Sequence, residues 1–270
     1  MRLQCKPKIA RSKIEALPNN GMNDPVLIAA AGVLGGAMNA VAGGGSFVTL
    51  PALVAVGVPS LDANATNTVA LVPSALASAF AYRHDFVGFE DVKLSTMAIV
   101  SVIGGAIGAV LLLYTPQSVF DQIFPFLLLF GVLVFAFGRE LGEELRKRTA
   151  IHPHTLPTVQ FVLGIYGGYF GGAVGVMMLA AWSVLTAAPI NTMQATRNLL
   201  NASMNATASL LFLFSGLIYW KQMGVLLISS TIGGYLASIF GRSLDPARAR
   251  IVISCLNVGI VMVVFWRKFG

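Results

Sequence analysis

The sequence predicts an all-α, polytopic membrane protein, an internal duplication of about four transmembrane helices per half, each half opening with a glycine-broken helix. Three observations predict it. The chain of 270 residues is 56% hydrophobic and only 11% charged, with mean hydropathy +0.77, whereas a soluble domain is about a quarter charged. Apolar segments near the roughly 20 residues needed to span a bilayer recur along the whole chain. These segments also fall into two series that match each other.

Residues 1–24 carry Arg2, Lys6, Lys8, Arg11 and Lys13 without the apolar core of a cleaved secretory signal, so they read as a basic cytoplasmic tail. The first repeat, 25–138, holds apolar segments at 25–42, 46–58, 63–82, 92–113 and 118–138. A charged connection, within residues 139–156, reads as a cytoplasmic loop. The second repeat, 157–270, holds segments at 157–172, 174–188, 191–214, 221–241 and 248–266. Sliding the second series by 130 positions sets Gly175 on Gly45, Pro189 on Pro59, and Ala195-Thr196 on Ala65-Thr66. One residue of slippage then sets Gly233-Gly234 on Gly104-Gly105.

Each half opens on a break. VAGGGSFVTLPAL, from Val41, interrupts the first apolar run, and YFGGAVGVMMLAA, from Tyr169, stands in the corresponding place. A glycine costs a helix roughly 1 kcal/mol relative to alanine, and backbone groups freed in lipid cost several more unless something satisfies them. In transporters, interrupted segments at matching positions in two repeats point to a central binding site. If each broken pair makes one crossing, the halves are parallel and most basic residues share the side of the tail, leaving Arg242, Arg248 and Arg250 opposite. If the pair is a full hairpin, basic residues divide almost evenly. The positive-inside rule favours the parallel arrangement, with the N-terminus cytoplasmic.

Gly43, Gly44, Gly45 and Ser46 precede a short helix whose exposed N–H groups and dipole suit an anion; Gly171, Gly172 and Gly175 stand ready to do the same in the second half. The plainer account is close helix packing. In NTMQATRNLLNASMNATASLLFLF, Arg197 is the basic residue well inside an apolar span, about two turns from the helix start. Gln194, Asn198, Asn201 and Asn205 form one helical stripe beside it. A fixed guanidinium with neighbouring amides can hold an oxyanion by paired hydrogen bonds; alternatively Arg197 reaches out to the headgroups while the amides pair between helices. The first half offers Asn64, Thr66, Asn67 and Thr68, with Asn67 on the position of Arg197, and Asn39 lies four residues before Gly43.

Several classes are excluded. The net charge of +7 reflects cytoplasmic loops, so nucleic acid is not a partner. Cys5 and Cys255 suggest neither a disulfide framework nor a metal cluster, and no metal or other cofactor is expected. The acidic residues and His84, His152 and His154 fall in the tail, in connections or near span ends, so GGGS has no in-span base and an enzyme is not expected. A small anionic substrate and the lipid bilayer are the expected partners. The coupling ion is not named by the residues, and a homo-oligomer stays open.

The pattern resembles the TauE/SafE sulfite exporter family, also called the toluene sulfonate uptake permease family. The resemblance covers about 30–266 and rests on AGGGSFVTLPAL, ANATNTVALVPSALASAFAYRHD, GIYGGYFGGAVGVMMLAA and ATRNLLNASMNATASLLFLFSGLIYW. It implies a multi-pass protein of the bacterial inner membrane that moves sulfite, organosulfonates or related small sulfur-containing anions. By position, Gly43, Gly44, Gly45, Thr66, Asn67, Gly172, Gly175, Thr196, Arg197 and Asn198 match its motifs. The second half departs from the first in having Ala173-Val174 within its glycine run and Ala181 opposite Pro51. The expected site lies between the halves: Arg197 supplies charge, Asn67, Asn198 and Asn201 hydrogen bonds, and the Gly43–Ser46 backbone N–H donors, while the halves rock. A passive anion channel or a non-transporting subunit of a sensor complex are the alternatives.

Overall fold

The computed structural model describes residues 24–41, 43–81, 92–146, 155–172, 174–186 and 190–240, together with Phe89 and positions 259, 262 and 266. Most of the expected tail, the last expected span (248–266) apart from three positions, and Arg242, Arg248 and Arg250 lie outside the described residues. Among those described, the helices are α1 (Asp24–Val41), α2 (Ser46–Ala55), α3 (Ser60–Ala81), α4 (Leu94–Tyr114), α5 (Gln117–Arg146), α6 (Thr155–Tyr169), α7 (Val174–Leu185), α8 (Ile190–Leu213) and α9 (Trp220–Phe240). The expected segments coincide with these to within a few residues, except that α5 runs eight residues past its apolar part. Its extension, RELGEELR, is made mostly of strong helix formers. Helix α4 stops because Pro116 pushes Thr115 into an extended conformation (φ −79, ψ 123).

By length and composition, α4, residues 117–134 of α5 and residues 220–239 of α9 can cross a membrane. They expose Ile99, Phe126, Phe130, Ile228 and Leu236 outward, as a lipid-facing surface does. Helices α3 and α8 are long enough, at 22 and 24 residues, but owe their place to what they bury: Asn64, Thr66, Asn67, Thr196, Arg197 and Asn198 all point into protein.

The two series interlock. The most extensive packing joins α1 to α9 and α4 to α6, followed by α3 to α9, α3 to α8 and α4 to α8. Exchanging α1–α4 for α6–α9 maps these pairs onto one another and groups the helices as α1/α3/α9 and α4/α6/α8, joined through α3 and α8, while α5 packs on α7 as extensively as α4 on α8. Glycine permits both long cross-contacts: a Cβ on Gly36 would lie 2.0 Å from the Ser230 carbonyl oxygen, and one on Gly108 would lie 2.0 Å from that of Ile165. For these glycines, close packing is the explanation.

Helix directions overturn the parallel expectation. Ser230 Oγ donates to the Ala70 carbonyl (3.2 Å) and Ser238 Oγ to Ser78 Oγ (3.4 Å), so α3 and α9 run in the same direction. Only residues 214–219 separate the end of α8 from the start of α9, so α8 ends where α3 begins. Likewise, Thr115, just past α4, meets the Tyr169 hydroxyl (3.3 Å), and the Tyr169 carbonyl accepts from Asn64 near the start of α3 (2.8 Å). Helices that the sequence pairs therefore run oppositely, and the repeats are inverted. Tyr114, Phe214 and Trp220, all exposed, gather at this end like an interfacial aromatic belt.

The cause lies in the breaks. Gly43 is left-handed (φ +79), and its N–H bonds back to the Met38 and Asn39 carbonyls (3.0 and 3.1 Å), closing α1. The chain then turns back, bringing Gly45 against Gly35 and Asn39, and Thr49 against Gly35. Helices α1 and α2 form a hairpin, not one crossing. With that geometry the charge count made for a single crossing no longer applies.

Candidate functional site

The breaks meet at the centre. A Cβ on Gly43 would sit 3.0 Å from Gly175 Cα and 3.3 Å from Arg197 Nη1, and one on Gly175 would sit 3.1 Å from Gly43 Cα and 3.3 Å from Arg197 Cδ. Two backbones and a guanidinium thus share one contact. Arg197 is fully buried, as are Thr196 and, nearly so, Asn198, so the guanidinium does not reach the headgroups. Its Nη2 donates to the Ala40 carbonyl at the end of α1 (3.3 Å) and to Asn198 Oδ1 (2.7 Å), and its Nε donates to the same oxygen (3.2 Å). The α1 terminus carries partial negative charge, so a cation there is stabilising. Asn198 Oδ1 fixes the guanidinium in one orientation and turns Asn198 Nδ2 away; that buried donor has no hydrogen-bond partner among the described residues.

A second group lies at the start of α2. Asn67 Nδ2 donates to Ser46 Oγ (3.0 Å), and Thr49 Oγ shares its one proton between Asn67 Oδ1 and the Gly45 carbonyl (3.1 Å). Phe47 N–H bonds to the Gly44 carbonyl, and Val48 and Thr49 N–H to that of Gly45. Asn67 is therefore committed to positioning the short helix. The N–H of Gly43 is likewise committed to α1, which removes it from the expected set of ligand donors. Asn39, buried, packs against Gly45.

A third group surrounds the second break. Asn64 Nδ2 donates to the Tyr169 carbonyl, Thr68 Oγ donates to the Asn64 carbonyl (2.9 Å), and Asn205 Nδ2 donates to both the carbonyl and the Oδ1 of Asn201 (2.9 and 2.8 Å). The remaining candidates lie apart. Thr66 accepts the Tyr219 N–H where α9 begins (3.1 Å), Gly172 sits against the Phe170 ring, and Gln194 is half-buried. Sequence reasoning overlooked Thr49. The signal was its spacing, one helical turn after Ser46, on the same face of α2.

The description "Sulfite exporter TauE/SafE" belongs to a family model that matches residues 28–264. The chain is 32% identical over 227 residues to "Probable membrane transporter protein YfcA" of Escherichia coli (strain K12), covering 82% of each chain. A "Probable membrane transporter protein" of Haemophilus influenzae is 31% identical over 202 residues, covering 74% of this chain and 78% of the relative. "Probable membrane transporter protein ORF9" of Sinorhizobium sp is 29% identical over 230 residues, covering 84% and 85%. No solved structure matches.

Proposed function

The chain belongs to the TauE/SafE sulfite exporter family of membrane transporters, and from that premise we propose that it carries a small sulfur-containing anion, sulfite or an organosulfonate, across the bacterial inner membrane. One observation carries the reading: a fully buried arginine lies where the two breaks meet. There Arg197 and Asn198 Nδ2 supply donors, and the first turn of α2 adds its helix dipole. Hydrogen bonds to charged groups contribute about 1.5–3 kcal/mol each, so losing the guanidinium removes most of the discrimination for an anion. Gly175 lets the second break approach both Gly43 and Arg197, because a Cβ there would meet Gly43 Cα at 3.1 Å and Arg197 Cδ at 3.3 Å.

The reading takes alternating access as the mechanism, and the interlocked packing supports it. The moving units are the mixed bundles α1/α3/α9 and α4/α6/α8 rather than the two sequence halves, with the hairpin tips as the gate between them.

The test is sulfite flux into liposomes reconstituted with wild-type protein and with Arg197→Gln. Saturable wild-type flux that falls about tenfold or more in the variant, as expected for at least 1.4 kcal/mol of lost binding, supports the reading. Equal flux in folded Arg197→Gln overturns the site, and flux that never saturates indicates a channel.

A further inference from the structure

At Gly171, the left-handed residue of the second break (φ +69), the three heavy atoms nearest the point that a Cβ would occupy, outside Gly171 and its two chain neighbours, are all oxygens. They are the Gly167 carbonyl at 3.5 Å, Asn205 Oδ1 at 3.6 Å and Thr68 Oγ1 at 3.6 Å. Hydrogen bonding fixes these oxygens as acceptors. Asn205 spends its amide N–H groups on Asn201, and Thr68 spends its proton on the Asn64 carbonyl. Gly167 lies in the last turn of α6, where carbonyls lack the next-turn donor and carry the negative end of the helix dipole.

A fourth oxygen lies on Asn64, the residue that bonds both the Tyr169 carbonyl and the Thr68 hydroxyl. Asn64 donates its Nδ2 to the Tyr169 carbonyl, which fixes its Oδ1 as the remaining atom; Asn64 is fully buried and Oδ1 has no hydrogen-bond partner among the described residues. A buried acceptor without a donor is costly, of order 1–3 kcal/mol, and neighbouring acceptors whose own protons are spent elsewhere call for a positive ligand.

We propose that Gly167, Thr68, Asn205 and Asn64 form a binding site for a small monovalent cation, Na+, at the second break. The oxygens are neutral, so they match one charge; a divalent ion would keep most of its charge uncompensated in a low-dielectric interior. Carbonyls of an unwound helix end together with side-chain oxygens are a setting in which transporters hold coupling ions. Gly175, four residues beyond Gly171, lies against Arg197. A cation at Gly171 and an anion at Arg197 would therefore favour each other's binding, and by linkage to the same extent. The cation site stands on its own geometry; its role as coupling ion rests on the anion reading above.

The experiment is binding of radioactive 22Na+ to purified full-length protein in choline-based, sodium-free buffer, without any anion substrate. Wild type should bind saturably. Thr68→Val, which removes the oxygen but keeps the shape, should weaken binding about tenfold or more, and Thr68→Ser should stay within about threefold. Gly171→Ala places a methyl group at the point itself and should abolish binding, with folding checked by size exclusion and helical content. Absence of saturable wild-type binding, or a folded Thr68→Val that binds as wild type does, overturns the site. Failure of the anion reading shows differently, as intact 22Na+ binding without sulfite flux. Sulfite flux in liposomes that ignores an imposed Na+ gradient overturns the coupling role.

Discussion

At the first break the short helix opens with Ser46 and Thr49, both bonded to Asn67. At the second it opens with Val174, Gly175, Val176 and Met177, and Val174 packs in an apolar cluster with Met178, Met204 and Trp182. The preceding helix ends also differ. Arg197 takes the Ala40 carbonyl of α1, whereas a neutral amide, Asn64, takes the Tyr169 carbonyl of α6. Asn67 and Arg197 occupy matching places in the two series, yet Asn67 clamps the short helix of its own half and Arg197 crosses to the other. The comparison teaches that the two breaks share a left-handed glycine, while their side chains differ, donor-rich at the first break and acceptor-rich at the second.

The sharpest way to break this comparison is alanine at the two turning glycines. Both substitutions place a side chain in the left-handed region, at about 1–2 kcal/mol. In Gly43→Ala the methyl also meets the Gly175 backbone at 3.0 Å and the guanidinium at 3.3 Å, adding about 1–3 kcal/mol of overpacking. Thermal unfolding in detergent should show Gly43→Ala as clearly the more damaging; equal losses would mean that the two tips are not in contact.

A middle-sized effect is expected from Asn67→Ala, which strips Ser46 and Thr49 of their shared partner at roughly 1–3 kcal/mol. Amide hydrogen exchange should quicken in α2 and stay unchanged in α7. Acceleration in both helices would show that Asn67 supports the whole centre rather than one break. The smallest effect belongs to Thr49→Val, about 1 kcal/mol from one lost hydroxyl bond, while Thr49→Ser should unfold within a degree or two of wild type. A valine variant as stable as wild type would place the clamp on Ser46 alone.

Much of this was legible in the residues. Helix positions followed from apolar runs and their punctuation: Gly43 and Gly171 mark the ends of α1 and α6, and Pro116 marks the end of α4. Arg197 drew attention because a cation inside an apolar span needs a reason. Helix direction was not legible, since a period of 3.6 residues reads alike whichever way a helix crosses, and the charge rule was applied to a break taken as a crossing. Nor was the division of labour between Asn67 and Arg197, because the Ala40 and Tyr169 carbonyls that receive Arg197 and Asn64 are backbone groups every residue carries. Thr49 was hidden for a related reason: its role depends on α3 lying across α2, which only the folded chain brings about.

The exchange of helices between the series also governs how the protein is made. Helix α1 is synthesised well before its main neighbour, α9, and α4 must likewise await α6. Until then, glycine-lined faces shaped for close backbone approach stand open to lipid or to one another. A nascent chain halted between α5 and α6 would hold helices whose principal partners had not yet been synthesised.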